Sequence, residues 1–129
     1  MKPPDDPVPS GDRTMARQLI KALQFAGHDV ELVSRLKCRL RNAGMLEDVA
    51  ADARREVDEV AARWQQQGTP DLVMTYHVYY KSPDLIGSPL ARRFDIPYVT
   101  VEASYAGKRD RDEWAEAQAI SSSAIRQAG

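Results

Sequence analysis

Two stretches of sequence decide the fold class of this chain: Pro7-Val8-Pro9-Ser10-Gly11-Asp12-Arg13 and Ala26-Gly27-His28-Asp29-Val30-Glu31-Leu32-Val33. The first offers a tight turn and helix-capping side chains, and the apolar residues that follow it recur at helical spacing. Gly27 suits the left-handed residue that ends many helices, and a β-branched run begins three residues later. Together they predict a loop, a helix, a glycine stop and a strand at Val30–Ser34.

The rest of the chain continues this alternation of helix and strand. The predicted elements are a long helix at Leu46–Trp64, a strand at Asp71–His77, a short helix at Asp84–Phe94, a strand at Tyr98–Glu102 and a last helix at Asp112–Gln127. The apolar run in Asp71–His77 is nearly continuous, which is typical of a strand buried on both faces. The alternation predicts an α/β fold with parallel strands, and the lack of repeats and linkers predicts one domain over residues 1–129.

Composition and charge narrow the classes of function. The 129 residues carry a formal net charge of -1, which gives no electrostatic basis for binding nucleic acid. Cys38 is the single cysteine, so an internal disulfide is excluded and a reducing compartment is predicted. The Pro- and Asp-rich start differs from a signal peptide, and no apolar run approaches the length of a membrane span. We therefore expect a cytoplasmic protein that does not span a membrane.

The segments that follow the three predicted strands hold the residues best suited to chemistry. In an open parallel sheet, ligands collect where the strands end at their carboxyl edge. The segments are residues 34–41, 76–82 and 102–109. They contain His77, Tyr79, Tyr80, Lys81, Glu102, Ser104, Lys108 and Arg109. We therefore predict a polar and aromatic site at this edge of the sheet.

His77 and Glu102 each admit two interpretations. An imidazole just past an apolar strand can act as a general base or bind a hydroxyl-rich ligand, or it can simply cap the strand with a hydrogen bond. A carboxylate in the position of Glu102 can accept from a sugar hydroxyl or orient a histidine. Alternatively, Glu102 forms a salt bridge with Lys108 or Arg109.

Three other features carry weaker predictions. Residues 10–13 could present backbone N–H groups to a phosphate, although a single glycine is a weak signal and an ordinary capped helix start explains them better. The basic run at residues 35–41 could hold an anionic acceptor or an anionic lipid surface, or it is a solvated face. Cys38 has no histidine near it in sequence and is predicted to be a small apolar filler. No group of His, Cys and Asp has the spacing of metal ligands, so no metal is expected.

Three segments, taken in order, carry a resemblance to a known family. They are residues 3–13 with the helix that ends at Ala26-Gly27-His28-Asp29-Val30-Glu31-Leu32, then Asp71-Leu72-Val73-Met74-Thr75-Tyr76-His77, and then Pro97-Tyr98-Val99-Thr100-Val101-Glu102-Ala103-Ser104. They resemble the N-terminal, acceptor-side domain of retaining glycosyltransferases with the two-domain GT-B architecture. The resemblance spans nearly all of this chain but only part of that domain. It implies a partial Rossmann-like, three-layer α/β fold with flanking helices and a small parallel sheet of about three strands.

The resemblance also implies an activity and roles for individual residues. Members of the family transfer a sugar from a nucleotide-sugar donor to an acceptor without a catalytic metal, so the donor is a substrate and no cofactor is expected. His77 would lie in the cleft near the reacting hydroxyl, as the catalytic residue. Ser10 and Gly11 would approach the donor phosphates. The acceptor-binding residues would be Arg13, Tyr79, Lys81, Glu102 and Ser104.

The resemblance further implies that the family's first strand and its nucleotide-sugar-binding domain have no counterpart in this sequence. We therefore expect no sugar transfer by the isolated chain, and a sheet with unpaired edges that favour self-association. The strand at Val30–Ser34 should be poorly supported, whereas the pairing of Asp71–Tyr76 with Tyr98–Glu102 should survive. Two other functions stay open: a non-catalytic α/β module that binds a partner chain, and a phosphate-binding regulator that uses Gly11 and the basic run.

Overall fold

A computed structural model describes residues 2–129 of the protein. The chain divides into two compact units, the first ending at Lys37 and the second running from Cys38 to Gly129. The first unit contains one helix, α1 (Gly11–Phe25). The second contains, in chain order, α2 (Leu46–Gln67), β1 (Val73–Val78), α3 (Gly87–Phe94), β2 (Tyr98–Ala103) and α4 (Ala115–Gln127). Single 3₁₀ turns lie at Ala43–Met45 and Gly107–Arg109. The structure is a mixed α/β fold with a small parallel sheet, as predicted.

Helix α1 begins and ends where the sequence predicts. The Ser10 hydroxyl accepts a hydrogen bond from the Arg13 backbone N–H at 3.2 Å, which is a typical N-cap. At the other end, Gly27 has a left-handed φ of 92°. The Gly27 and His28 N–H groups donate to the carbonyls of Gln24 and Leu23, both at 3.0 Å. This pair of bonds is the Schellman motif, for which glycine is the favoured residue.

The predicted strand at Val30–Ser34 is wrong. These residues have no regular secondary structure, and within residues 2–129 the sheet contains β1 and β2 alone. A β-branched run becomes a strand only when another strand satisfies its backbone hydrogen bonds. Because no described segment forms a ladder with residues 30–34, the sheet has two strands rather than about three.

The two strands of the second unit pair in parallel, as predicted. The register places Val73 opposite Tyr98 and Val78 opposite Ala103. Helix α3 connects the strands and contacts both of them, which makes the segment a βαβ unit. The carboxyl ends of both strands therefore lie at one edge of the sheet, where the sequence placed the candidate site.

The expectation that the first of these strands is buried on both faces is also wrong. Only Val73 and Val78 of β1 are buried, and Met74 is exposed. Each strand of a two-stranded sheet has one edge without a paired neighbour, so β1 lacks the second flanking strand that a fully buried position requires.

The core of the second unit lies between its helices and the sheet. Helix α2 buries one stripe of residues: Leu46, Ala53, Val57, Val60, Ala61 and Trp64. The Trp64 ring meets the Phe94 ring of α3 edge-on, with centroids 5.5 Å apart. A second cluster joins Leu40 and Leu46 to Trp114 and Ala117 at the start of α4. This cluster lies beneath the polar loops at the carboxyl edge of the sheet, because Tyr80 packs against it.

The buried carboxylate of Asp84 fastens α3 to both strands. It accepts hydrogen bonds from the backbone N–H groups of Ile86, Gly87 and Ser88 at the start of α3, between 2.8 and 3.0 Å. It also accepts from the Thr75 hydroxyl at 2.8 Å and the Tyr98 hydroxyl at 2.5 Å. These bonds explain why the helix begins at Gly87, three residues later than predicted: Asp84 caps it rather than forming its first turn.

Across residues 2–129, none of the helices has both the length and the apolar character that crossing a bilayer requires.

Candidate functional site

The backbone is strained at the same level of both strands. His77 has a φ of 66° and Glu102 a φ of 58°, in the left-handed region that residues with side chains seldom adopt. His77 lies between the paired residues Tyr76 and Val78, and Glu102 lies between their partners Val101 and Ala103, so the two occupy equivalent positions. Such outliers cost about 1–3 kcal/mol each and cluster at functional sites. A third residue with a side chain, Asp95, has a φ of 53° where α3 ends, so His77 and Glu102 are the two described residues that combine a side chain and a positive φ with a place in the strands.

A continuous series of ring contacts runs from β1 to the start of α4. The His77 ring lies 5.7 Å from the Tyr76 ring and 4.9 Å from the Tyr79 ring, centroid to centroid. Tyr79 meets Tyr80 at 5.7 Å, and Tyr80 meets Trp114 at 5.2 Å, both edge-on. All five side chains are half-buried or buried. Aromatic side chains commonly line the sites at which proteins bind small molecules.

A tight turn presents these aromatic residues. The Tyr79 N–H donates to the Ser82 carbonyl at 3.3 Å, and the Ser82 N–H donates to the Tyr79 carbonyl at 2.8 Å. The Lys81 carbonyl accepts a further bond from the Leu40 N–H at 2.7 Å. Because Leu40 is buried, this bond fastens the tip of the turn to the core.

Two cations lie over the aromatic rings. The Arg109 guanidinium carbon is 4.9 Å from the Tyr80 centroid, and the Lys81 ammonium is 5.8 Å from the same centroid and 5.6 Å from that of Trp114. Asp112 forms a salt bridge with Arg109 at 2.8 Å. This pairing raises the pKa of Arg109 and lowers the pKa of Asp112 below its usual range. Within the described chain, Lys81 has no such carboxylate partner.

The structure excludes one of the two interpretations of Glu102 and leaves its role in binding a ligand a prediction. Its carboxylate is exposed and forms no ion pair with Lys108 or with Arg109, which is bound to Asp112 instead. The salt-bridge interpretation is therefore wrong. The neighbouring Ser104 is also exposed, and its N–H donates to the Val78 carbonyl at 2.9 Å, which extends the pairing of the strands into the loop.

The structure therefore brings His77, Tyr79, Lys81, Glu102 and Ser104 to one edge of the second unit. The other predicted site residues, Ser10, Gly11 and Arg13, belong to the first unit. There the Ser10 hydroxyl caps α1, and the Arg13 guanidinium donates to the Asp6 carbonyl at 2.7 Å. The capped helix start accounts for these contacts, and a role in binding phosphate stays a prediction.

The basic run at residues 35–41 and the Cys38 thiol are poorly suited to binding or reacting with a ligand. Arg35 forms a salt bridge with Asp5, and Lys37 forms one with Asp6 at 2.9 Å, so half of the four cations are neutralised within the first unit. Burial raises the pKa of the Cys38 thiol to about 12. The thiol therefore stays protonated at neutral pH, which agrees with its prediction as a filler.

Sequence reasoning missed two parts of the site. Asp112 and Trp114 both fall inside the last helix that the sequence predicts, at Asp112–Gln127, and neither is among the predicted site residues. In the structure α4 begins at Ala115, because the Asp112 carboxylate accepts from the Trp114 N–H at 2.8 Å and holds Arg109. The sequence did contain a signal for this arrangement. Arg109 lies three residues before Asp112, which lies two residues before Trp114.

Among residues 2–129, no three His, Cys, Asp or Glu side chains gather into a group that could hold a metal ion. Comparison of the chain with protein-family models, with curated proteins and with solved structures gave no match.

Proposed function

We propose that the carboxyl edge of the β1–β2 sheet is the acceptor-binding surface of a glycosyltransferase-type domain. The observation that carries the proposal is the pair of left-handed residues, His77 and Glu102, at equivalent positions of two neighbouring parallel strands. Strain persists where the surrounding structure enforces it, and it most often does so at sites that bind or react.

The side chains around this pair suit a hydroxyl-rich molecule. The imidazole of His77 and the carboxylate of Glu102 can accept hydrogen bonds from sugar hydroxyls, and the Ser104 hydroxyl can donate and accept. The Tyr79 ring, 4.9 Å from His77, offers a face for the C–H groups of a sugar ring. In the full reaction His77 would lie near the hydroxyl that receives the sugar, with a nucleotide sugar as the donor.

Transfer requires a second wall that holds the donor. In the GT-B architecture that wall is another domain, and stabilisation of the departing diphosphate needs donors fixed around it. We therefore expect residues 1–129 to bind acceptors and to catalyse no transfer by themselves. Steady transfer from any nucleotide sugar by this chain alone would contradict it.

Ligand-observed NMR with a panel of neutral monosaccharides, disaccharides and sugar alcohols tests the binding claim. We expect at least one member to bind, and His77→Ala and Glu102→Gln each to weaken that binding about tenfold, the effect of roughly 1.4 kcal/mol. His28→Ala is the matched control, because His28 is the other histidine and is exposed in the first unit. Binding that survives both site variants unchanged, or no binding by any member of the panel, would overturn the proposal.

One observation favours the second candidate function, a module that binds a partner chain. No residue of α1 is buried, and the side chains of Phe25 and Met15 are 96% and 45% exposed. Exposed apolar side chains of this kind gain stability when another surface covers them. This candidate predicts that Phe25→Ser abolishes a mass increase that the unaltered chain shows on light scattering at rising concentration. A monomeric mass for both chains at every concentration would count against it.

A further inference from the structure

We propose that Lys81, held over Tyr80 and Trp114, is a subsite for an anionic group, a phosphate or carboxylate, on the ligand of the carboxyl edge. The inference deepens the proposed function and rests on it for the identity of the ligand, because it states that the hydroxyl-rich acceptor is also negatively charged. The site consists of the Tyr79–Ser82 turn, Arg109 and Asp112 after β2, and Trp114 at the start of α4.

The charge balance of the cluster is the first reason. Lys81 and Arg109 both lie within 6 Å of the Tyr80 centroid, but among residues 2–129 only the Asp112 carboxylate forms an ion pair with either of them, and its partner is Arg109. Of the other two acids of the loop, Asp110 accepts a hydrogen bond from the Tyr105 hydroxyl, and Glu113 is exposed and forms no ion pair with Lys81 or Arg109. Two neighbouring cations repel each other, so the cluster carries an excess positive charge that an added anion would neutralise.

The fixed position of Lys81 is the second reason. A surface lysine normally samples many rotamers, and ordering it opposes the binding of any partner. Here the ammonium already lies over two aromatic rings, and the backbone of the residue is fastened through the Leu40 N–H at 2.7 Å. The Lys81 side chain has therefore lost much of its conformational freedom before a ligand binds, so binding costs less entropy.

The location is the third reason. Ring contacts connect Tyr80 through Tyr79 to His77, so the cation and the proposed hydroxyl-binding residues belong to one continuous surface. An ammonium is a point charge with three donors, and it suits a phosphate or a carboxylate equally. Arg109 is already engaged by Asp112, so the anion is assigned to Lys81.

The two tryptophans provide a built-in reporter. Trp114 lies 5.6 Å from the Lys81 ammonium, whereas Trp64 packs against Phe94 in the core. We would titrate the chain with glucose 6-phosphate, glucuronate and methyl glucoside at constant ionic strength, and follow both indole N–H signals by NMR. We expect a saturable shift of the Trp114 signal with a charged ligand, and no shift of the Trp64 signal.

Variants separate a specific subsite from general electrostatics. Lys81→Gln should weaken the binding of the charged ligand at least tenfold, and Lys81→Arg should retain it within about threefold, because the cation remains. Lys21→Gln removes the same charge from an exposed position of α1 and should change nothing. Circular dichroism melts of each variant check that the fold is intact.

Each outcome has a stated meaning. A Lys81-dependent shift with glucose 6-phosphate alone assigns the site to phosphate, and a shift with glucuronate as well assigns it to both anions. Unchanged affinity in Lys81→Gln, an equal response to methyl glucoside, or no response to either charged ligand would overturn the inference. If the anion binds through Lys81 while His77→Ala leaves neutral sugar binding unchanged, the proposed function fails and the anion subsite stands.

Discussion

Glu102 allows the cost of its strained backbone to be measured as a change in the free energy of unfolding. Its φ is 58°, its side chain is exposed, and no described hydrogen bond or ion pair holds it. Glycine adopts this conformation without steric cost, so Glu102→Gly should raise the free energy of unfolding by about 1 kcal/mol. Thr100→Gly, at an ordinary position of the same strand, should lower it by about 1 kcal/mol. Urea unfolding of the two variants gives both values, and equal destabilisation by both would show that Glu102 carries no strain.

The fold leaves no space for a side chain at Gly87. A Cβ at this position would lie 2.3 Å from the Thr75 hydroxyl oxygen and 2.9 Å from an Asp84 carboxylate oxygen. Since both oxygens belong to the buried network that holds α3, Gly87→Ala should destabilise the chain by about 1–3 kcal/mol. Gly107→Ala is the matched control, because its Cβ would meet only the Tyr105 ring at 3.4 Å or more. Similar thermal midpoints for the two variants would contradict this account of Gly87.

At the scale of residues, the sequence predicted that the candidate site residues of the second unit share one edge of the sheet, and it did not predict their backbone conformation or their partners. His77 and Glu102 stood out because they follow apolar strands, and their left-handed backbones came only with the structure. A φ value depends on how the loop after each strand closes, and residue identity encodes it only weakly outside glycine, although histidine, asparagine and aspartate adopt a positive φ more often than other residues. The partner of Arg109 was unpredictable for a similar reason: Asp112 competed with Glu102 and lay on the same loop.

Because the Tyr98 hydroxyl helps to attach α3 to the sheet, we expect the free energy of unfolding to fall at alkaline pH. Burial and the Asp84 carboxylate raise the pKa of the Tyr98 hydroxyl above its ordinary value of 10. The folded chain then keeps this proton above pH 10 while the unfolded chain loses it, so stability is full below pH 10 and falls above it. The expected loss is about 1.4 kcal/mol per pH unit.

Urea unfolding at pH 8 and pH 11 measures this loss. Tyr98→Phe cannot ionise, so its stability should fall less steeply across the same interval. Parallel pH profiles for the unaltered chain and Tyr98→Phe would show that ionisation of other groups governs the alkaline behaviour.

Helix α1 should be the least protected helix of the chain. An isolated helix of 15 residues is marginal in water, and no side chain of α1 is buried, whereas α2 buries six. We expect the amides of α1 to exchange with deuterium orders of magnitude faster than those of α2, because opening α1 exposes little apolar surface. Native-state hydrogen exchange read by NMR provides the rates, and matching protection in the two helices would contradict the expectation.

Elements with their own local signals were predicted most accurately. Helix α2 has an apolar stripe of several turns and a glycine stop, and α1 has a serine cap and a Schellman glycine. The segment at residues 30–34 has the composition of a strand but pairs with no other strand among the described residues, so the strand predicted from its pattern does not form. Strand formation depends on a neighbour elsewhere in the chain, and a sequence pattern cannot report whether that neighbour exists.

At the scale of the whole molecule, the α/β class and the parallel pairing of β1 with β2 are confirmed, and the count of three strands is not. The pairing was predictable because a helix between two short apolar strands forms a βαβ unit almost irrespective of its surroundings. The assignment of one domain to residues 1–129 and the roles of Ser10, Gly11 and Arg13 stay predictions. The second unit alone contains the carboxyl edge of the sheet. The strained backbone of His77 and Glu102, the aromatic rings and the Lys81 ammonium all lie there.

The most direct test of the central claim is to map where a carbohydrate ligand contacts the chain. Backbone amide shifts would be followed by NMR while the best-binding member of the sugar panel is added. We expect shifts concentrated at the carboxyl ends of both strands, at Val78, Tyr79, Ala103 and Ser104, and no shifts of Val73 and Tyr98 at the opposite ends. Shifts centred on the amino ends of the strands, or spread evenly over the chain, would contradict it.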